Sequence, residues 1–153
     1  MQPVRIASRL CAMGLWAGAA MAADEEPSAA DCFTTAFEAG DADALSACYA
    51  EDGIIWFPGG PMAQGRQAIR DGFAHFFTEM TVKDMVLTDI GHVMGDDDTR
   101  TAWGTYEIRA VDKASGADIV QRGRYTDVTR RIDGRWLYVV DHPSDDPPAA
   151  AAK

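Results

Sequence analysis

The stretch Phe37–Phe77, FEAGDADALSACYAEDGIIWFPGGPMAQGRQAIRDGFAHFF, carries several local signals in quick succession. Just upstream, Ser28–Ala39 (SAADCFTTAFEA) places Phe33 and Phe37 at i, i+4, with Ser28 as a cap. Gly40 suits the end of that helix. DADALSACYAED repeats the pattern, with Asp41 or Asp43 capping and Leu45, Cys48 and Tyr49 on one face. Ile54-Ile55-Trp56-Phe57, stopped by Pro58-Gly59-Gly60-Pro61, reads as a short strand. QAIRDGFAHFFTEM follows as a helix whose stripe is Ile69, Phe73, Phe76, Phe77 and Met80.

Beyond Val82 the period changes from helical to strand-like. VKDMVLTDIGHVMGDD, TRTAWGTYEIRAVDK and ADIVQRGRYTDVTRRI are separated by turn chemistry, and RWLYVVDHP closes the series. Asp133-Gly134 is a hairpin signal. The order is helix, helix, strand, helix, then four long antiparallel strands. It predicts an α+β fold with helices on one face of a curved sheet.

The ends read differently. Arg5 and Arg9 precede an apolar run, Leu10–Ala19, that is too short to span a bilayer. Ala20-Met21-Ala22 then offers a small-x-small cleavage pattern before an acidic DEE. Residues 1–22 have the layout of a secretory signal peptide, 23–27 form a short linker, and 145–153 read as a disordered tail. The reading implies export, to a periplasm or the exterior. Removing 22 of the 153 residues leaves a length suited to one domain, 28–144. Losing Arg5 and Arg9 takes the net charge from −10 to −12. Such a chain repels phosphate backbones and anionic headgroups, which argues against nucleic acid and, after cleavage, against a membrane as partners.

Of three cysteines, the mature chain keeps Cys32 and Cys48. Each lies eight positions from Gly40. If Gly40 turns a helical hairpin, the two face each other at one level, and an oxidising compartment invites a disulfide.

The order of elements, with FEAGDADALSACYAEDGIIWFPGGPMAQGRQAIRDGFAHFF at the front and YTDVTRRIDGRWLYVVDHPS at the end, resembles the SnoaL-like branch of the nuclear-transport-factor-2-like superfamily. Three patterns carry the likeness over Ser28–Ser144: AGD…L…CYAxDG, GRxAIR and DGRW. The resemblance implies a cone, in which a curved sheet wraps a long helix around a deep pocket, and homodimers through the outer sheet face. Members include ketosteroid isomerase, polyketide cyclases and dehydratases. By the same resemblance, the isomerase's base falls on Phe57 and its phenol on Phe33, neither able to do that chemistry. Its neutral acid falls on Asp127.

Alternation places Gly123, Tyr125, Asp127 and Thr129 on one face of their strand. If that face looks inward, desolvation raises the pKa of Asp127 and makes it a proton donor beside Tyr125. His92 shares a face with Ile90 and Met94 and is a candidate acid–base partner. His75 sits between the core edge and solvent on its helix. Asp141 and His142, adjacent in a strand, point to opposite faces and form no dyad. Three scattered histidines lack metal-ligand spacing, and neither GxSxG nor a phosphate loop occurs, so no metal or cofactor is expected. The candidate pocket wall comprises Phe33, Phe37, Trp56, Phe57, Met62, Phe73, Phe77, Trp103 and Tyr125, a set suited to a flat apolar ligand. Three functions fit: an exported binder of a small, partly apolar molecule; a cofactor-independent lyase, isomerase or cyclase using Asp127 with His92 or Tyr125; or an association module.

Overall fold

A computed structural model describes residues 27–147. The signal-like segment, nearly all of the linker, and the tail from residue 148 lie outside the described residues. Helix α1 spans Ala29–Ala39. Ser28 caps it in a reciprocal box with Asp31, and Gly40 ends it with a left-handed φ of 66°. Ala29, Phe33, Ala36 and Phe37 form its buried stripe. Cys32, at the rim of that stripe, is joined by a disulfide to Cys48.

Helix α2 is shorter than its sequence pattern predicts, covering only Ala42–Ser46. Cys48 lies in the turn beyond it, and Tyr49 opens a strand, β1 (Tyr49–Trp56). The reason is tertiary. The backbone N–H of Tyr138 donates to the carbonyl of Cys48 at 3.0 Å, so pairing with the last strand overrides the local helical spacing. A three-residue strand without a clear sequence signal, β2 (Met62–Gln64), folds back antiparallel on β1. Helix α3 (Arg66–Glu79) buries Ile69 and Phe73.

Four long strands follow: β3 (Met80–Asp96), β4 (Thr99–Asp112), β5 (Asp118–Ile132) and β6 (Arg135–Asp145). The single sheet runs β2-β1-β6-β5-β4-β3, antiparallel except for the parallel β1–β6 pair. Register irregularities at three points of β3 and one in β6 bend it around the helices. Strand β6 also reaches further than expected. Asp145, assigned from sequence to the disordered tail, ends the strand and accepts hydrogen bonds from Tyr106 Oη at 2.7 Å and Gln121 Nε2 at 2.6 Å.

The core sits between helices and concave sheet face. Phe33 contacts Phe37, Tyr49, Phe73 and Tyr138, with centroid separations between 5.6 and 6.4 Å. Rings at these distances add about 0.5–1.5 kcal/mol per pair beyond their area burial. Across β4–β5, Gly104 lies opposite Tyr125 and Gly123 opposite Tyr106. A Cβ at Gly104 would stand 2.6 Å from Tyr125 Oη, and one at Gly123 2.6 Å from Tyr106 Oη. Both tyrosine rings therefore lie flat over a glycine. Among the described residues no helix is long and apolar enough to cross a membrane.

Candidate functional site

One row of paired residues crosses the concave face: His92, Ala102, Asp127, Asp141, Ile55 and Ala63. Directly paired residues share a face of the sheet. Asp127 and Asp141, at 7% and 8% exposure, are thus buried neighbours facing the same way. This pair depends on a bulge. From the Asp133-Gly134 turn, pairing proceeds as Arg130↔Leu137 and Thr129↔Tyr138, then jumps to Val128↔Val140 and Asp127↔Asp141. Val139 is the extra residue. Without it Val140 would stand opposite Asp127, and Asp141 would point outward.

Two hollows meet here. The first, about 280 Å³, is walled by Phe33, Phe37, Phe73 and Phe76 from the helices, by Phe57, and by Tyr106, Tyr125 and Tyr138 from the sheet. Asp127, Asp141 and Gln121 interrupt an otherwise apolar lining. The second, about 460 Å³, shares Leu87, Tyr125, Asp127 and Tyr138 with the first and adds Asp89, Arg100, Thr129, Arg131 and Trp136.

The two carboxyls are not equivalent. Tyr49 Oη, fully buried, donates to Asp141 Oδ2 at 2.6 Å. Burial pushes Asp141 up to about 6, against the pull of that hydrogen bond and of His142. Burial, then the neighbouring Asp141 charge, pushes Asp127 higher, to about 7, with Arg100 opposing. Between pH 6 and 7 the pair holds roughly one proton, and Tyr49 biases it onto Asp127. Tyr125 Oη donates to Asp89 Oδ1, and Arg100 Nη2 donates to Asp89 Oδ2 at 2.8 Å. Tyr125 thereby titrates well above the ordinary phenol range, by burial first and then by the Asp89 bond, and Asp89 is held below the ordinary carboxylate range, chiefly by Tyr125. A protonated carboxyl beside a carboxylate offers both a proton and a place to receive one.

Phe33, Phe37, Phe57, Phe73, Tyr125 and Asp127 all line the first hollow. Phe57 turns inward past the end of β1, where Gly72 leaves room: a Cβ there would meet its ring at 2.6 Å. Four residues expected at the wall are elsewhere. Trp56 is 44% exposed on the outer face, 5.5 Å from the His142 ring, because Ile55 takes the inward position of β1. Met62, paired with Trp56, is also on the outside. Trp103 alternates outward next to the buried Ala102 and lies over Gly91. Phe77 is half-buried among Phe37, Phe73 and Phe76 and does not reach the hollow.

His92 occupies the same row as Asp127 but is exposed, two strands away with Ala102 between them. It is not a neighbour of Asp127. His75 is exposed, with Nε2 3.8 Å from Glu79. Sequence reasoning missed Asp141, Tyr138 and Tyr49 as site residues. Strict alternation sends Asp141 outward, and only the unbroken apolar run Leu137–Val140 hints at the bulge that turns it in.

The family model of the SnoaL-like domain matches residues 30–139. A ketosteroid isomerase-like protein from Erwinia carotovora superposes with a TM-score of 0.71 at 25% identity, covering 78% of this chain and 92% of that one. A proposed calcium/calmodulin-dependent protein kinase II association domain from Xanthomonas campestris gives 0.69 at 26% identity, over 78% and 84% of the two chains. An NTF-2-like protein of unknown function from Shewanella oneidensis shares the fold, with a TM-score of 0.61 at 18% identity over 76% and 93%. A comparison with curated proteins gave no match. With its curved, open sheet of six strands closed over two main helices, and with the family model spanning most of its length, the chain belongs to the SnoaL-like family.

Proposed function

We propose that the protein binds a small, largely apolar molecule in the aromatic hollow and moves a proton on it through Asp127, with Asp141 as the partner carboxyl. The observation that carries this reading is the buried, directly facing Asp127–Asp141 pair at the polar end of an otherwise apolar cavity. Its acid and base are both side chains of this chain, which corresponds to a cofactor-independent isomerase, cyclase or dehydratase. Tyr125 contributes by fixing Asp89 and Arg100 beside the site.

Two probes test it. Nile red, a neutral apolar fluorophore, reports entry to the cavity. The ring opening of 5-nitrobenzisoxazole, which needs only a base, reports proton abstraction. Catalysis above buffer should rise with pH through about 7, following Asp127, and Asp127→Asn should abolish that rise while Nile red still binds. Binding without any acceleration would leave a binding protein and sink the proton transfer.

The outer sheet face favours a second element of the reading, a homodimer. Trp56, Met62, Val93 and Trp103 are all exposed there, an apolar surface of the kind that marks association sites. Export is also part of the proposal. It is supported by the signal-like residues 1–22 and by a disulfide that persists in oxidising compartments.

A further inference from the structure

The cavity's charge is one-sided. Among the described residues, Asp127 and Asp141 are the only acidic ones in its lining, and no Lys, Arg or His joins them there. The cations of the adjoining hollow, Arg100 and Arg131, are each paired with a carboxylate of their own, Asp89 and Asp98. On β3, Asp89 is bound by Tyr125 and Arg100, so the nearest cation, on β4, is already engaged. His92 is exposed beyond Ala102. On β6, His142 faces outward beside Trp56, Tyr138 brings only a phenol, and Asp145, itself outside the lining, accepts from the lining residues Tyr106 and Gln121. On β1, Tyr49 donates to Asp141. The helices α1 and α3 present only Phe33, Phe37, Phe73 and Phe76 to the cavity.

We propose that the ligand of this site is an amphipathic organic cation, namely an amine on a single-ring or short-chain apolar body, with its ammonium group seated between Asp127 and Asp141. This rests on the small-molecule reading above and names its substrate class. An ammonium group has three donors for two acceptor carboxylates, and aromatic rings, here Tyr125 and Tyr138 in the lining, attract cations further. The cavity, about 280 Å³, lies at the lower edge of the roughly 300–1,000 Å³ usual for ligand pockets. That limits the apolar body to a small one. Seating the cation expels the proton that Asp127 holds, so both carboxylates are ionised and the pair faces the ligand as a base.

The test is calorimetry on the mature chain with three probes of one shape: 2-phenylethylamine, 2-phenylethanol and 3-phenylpropanoate. The amine should bind at least tenfold more tightly than the alcohol at pH 8, and its advantage should shrink toward pH 5. Near pH 6.5, midway between the two carboxyls, titrations in buffers of different ionisation enthalpy should show about one proton released per amine. Asp141→Asn should bring amine and alcohol within threefold of each other, and the wild-type pH dependence stands as evidence if that variant folds poorly. Equal or tighter binding of the alcohol or the carboxylate overturns the cation assignment and leaves the small-molecule reading intact. The same holds if the amine fails to bind while Nile red enters. Exclusion of Nile red and all three probes overturns both.

Discussion

Asp127→Asn tests the electrostatics of the site through stability. The folded protein raises Asp127 to about 7, whereas an unfolded chain releases that proton near pH 3.9. Between these values the native state binds more protons than the unfolded state, so stability contributed by this group falls as pH rises and is flat above about 7. Three pH units at about 1.36 kcal/mol each give a burden of about 4 kcal/mol at pH 8. Asparagine removes the ionisation and relieves Asp141, but its amide needs partners at a buried position, at a cost of about 1–3 kcal/mol. The variant should therefore be less stable than wild type at pH 4 and more stable at pH 8, with the difference swinging by about 4 kcal/mol between them. Urea unfolding followed by tryptophan fluorescence, at each unit of pH from 4 to 8, measures it. Comparing the two proteins at equal pH cancels Asp89 and Glu107, whose lowered values cost both proteins stability as pH falls. A variant-minus-wild-type difference that stays constant across the range would refute the raised, proton-holding Asp127.

Reducing the Cys32–Cys48 bond, which closes a loop of sequence separation 16, should cost about 3 kcal/mol; a melting temperature unmoved by reductant counts against that contribution. Gly104→Ala sets a Cβ 2.1 Å from the Thr88 carbonyl and 2.6 Å from Tyr125 Oη, and should lose about 3 kcal/mol or more. Gly95→Ala, with nothing nearer than 3.7 Å, is the control, and equal losses in the two variants would remove the steric argument. Trp103→Glu places a charge on the exposed outer face and should shift light-scattering mass from dimer to monomer. A wild-type monomer, or an unaltered dimer in the variant, contradicts association through that face.

Local chemistry accounts for much of what the sequence determines by itself. Ser28 and Gly40 bound α1, and the spacing of Phe33 and Phe37 chooses its buried side. The Asp133-Gly134 turn begins the β5–β6 hairpin, and period-two alternation turns Tyr125 and Asp127 inward. Each of these is a short-range property, legible within a few residues. The partner of Asp127 is not. Alternation from the turn sends Asp141 outward, and it faces Asp127 only because Val139 is inserted as a bulge. Likewise, His92 falls in the correct row but too far along it. A sheet side chain's face depends on every residue counted since the last fixed contact, so one extra residue reverses all that follow. The packing of Tyr138 against Phe33 and Tyr49, and of Asp141 against Tyr49, joins residues about 90 or more positions apart. Only that long-range packing decides where the extra residue goes, and with it which two carboxyls share the cavity.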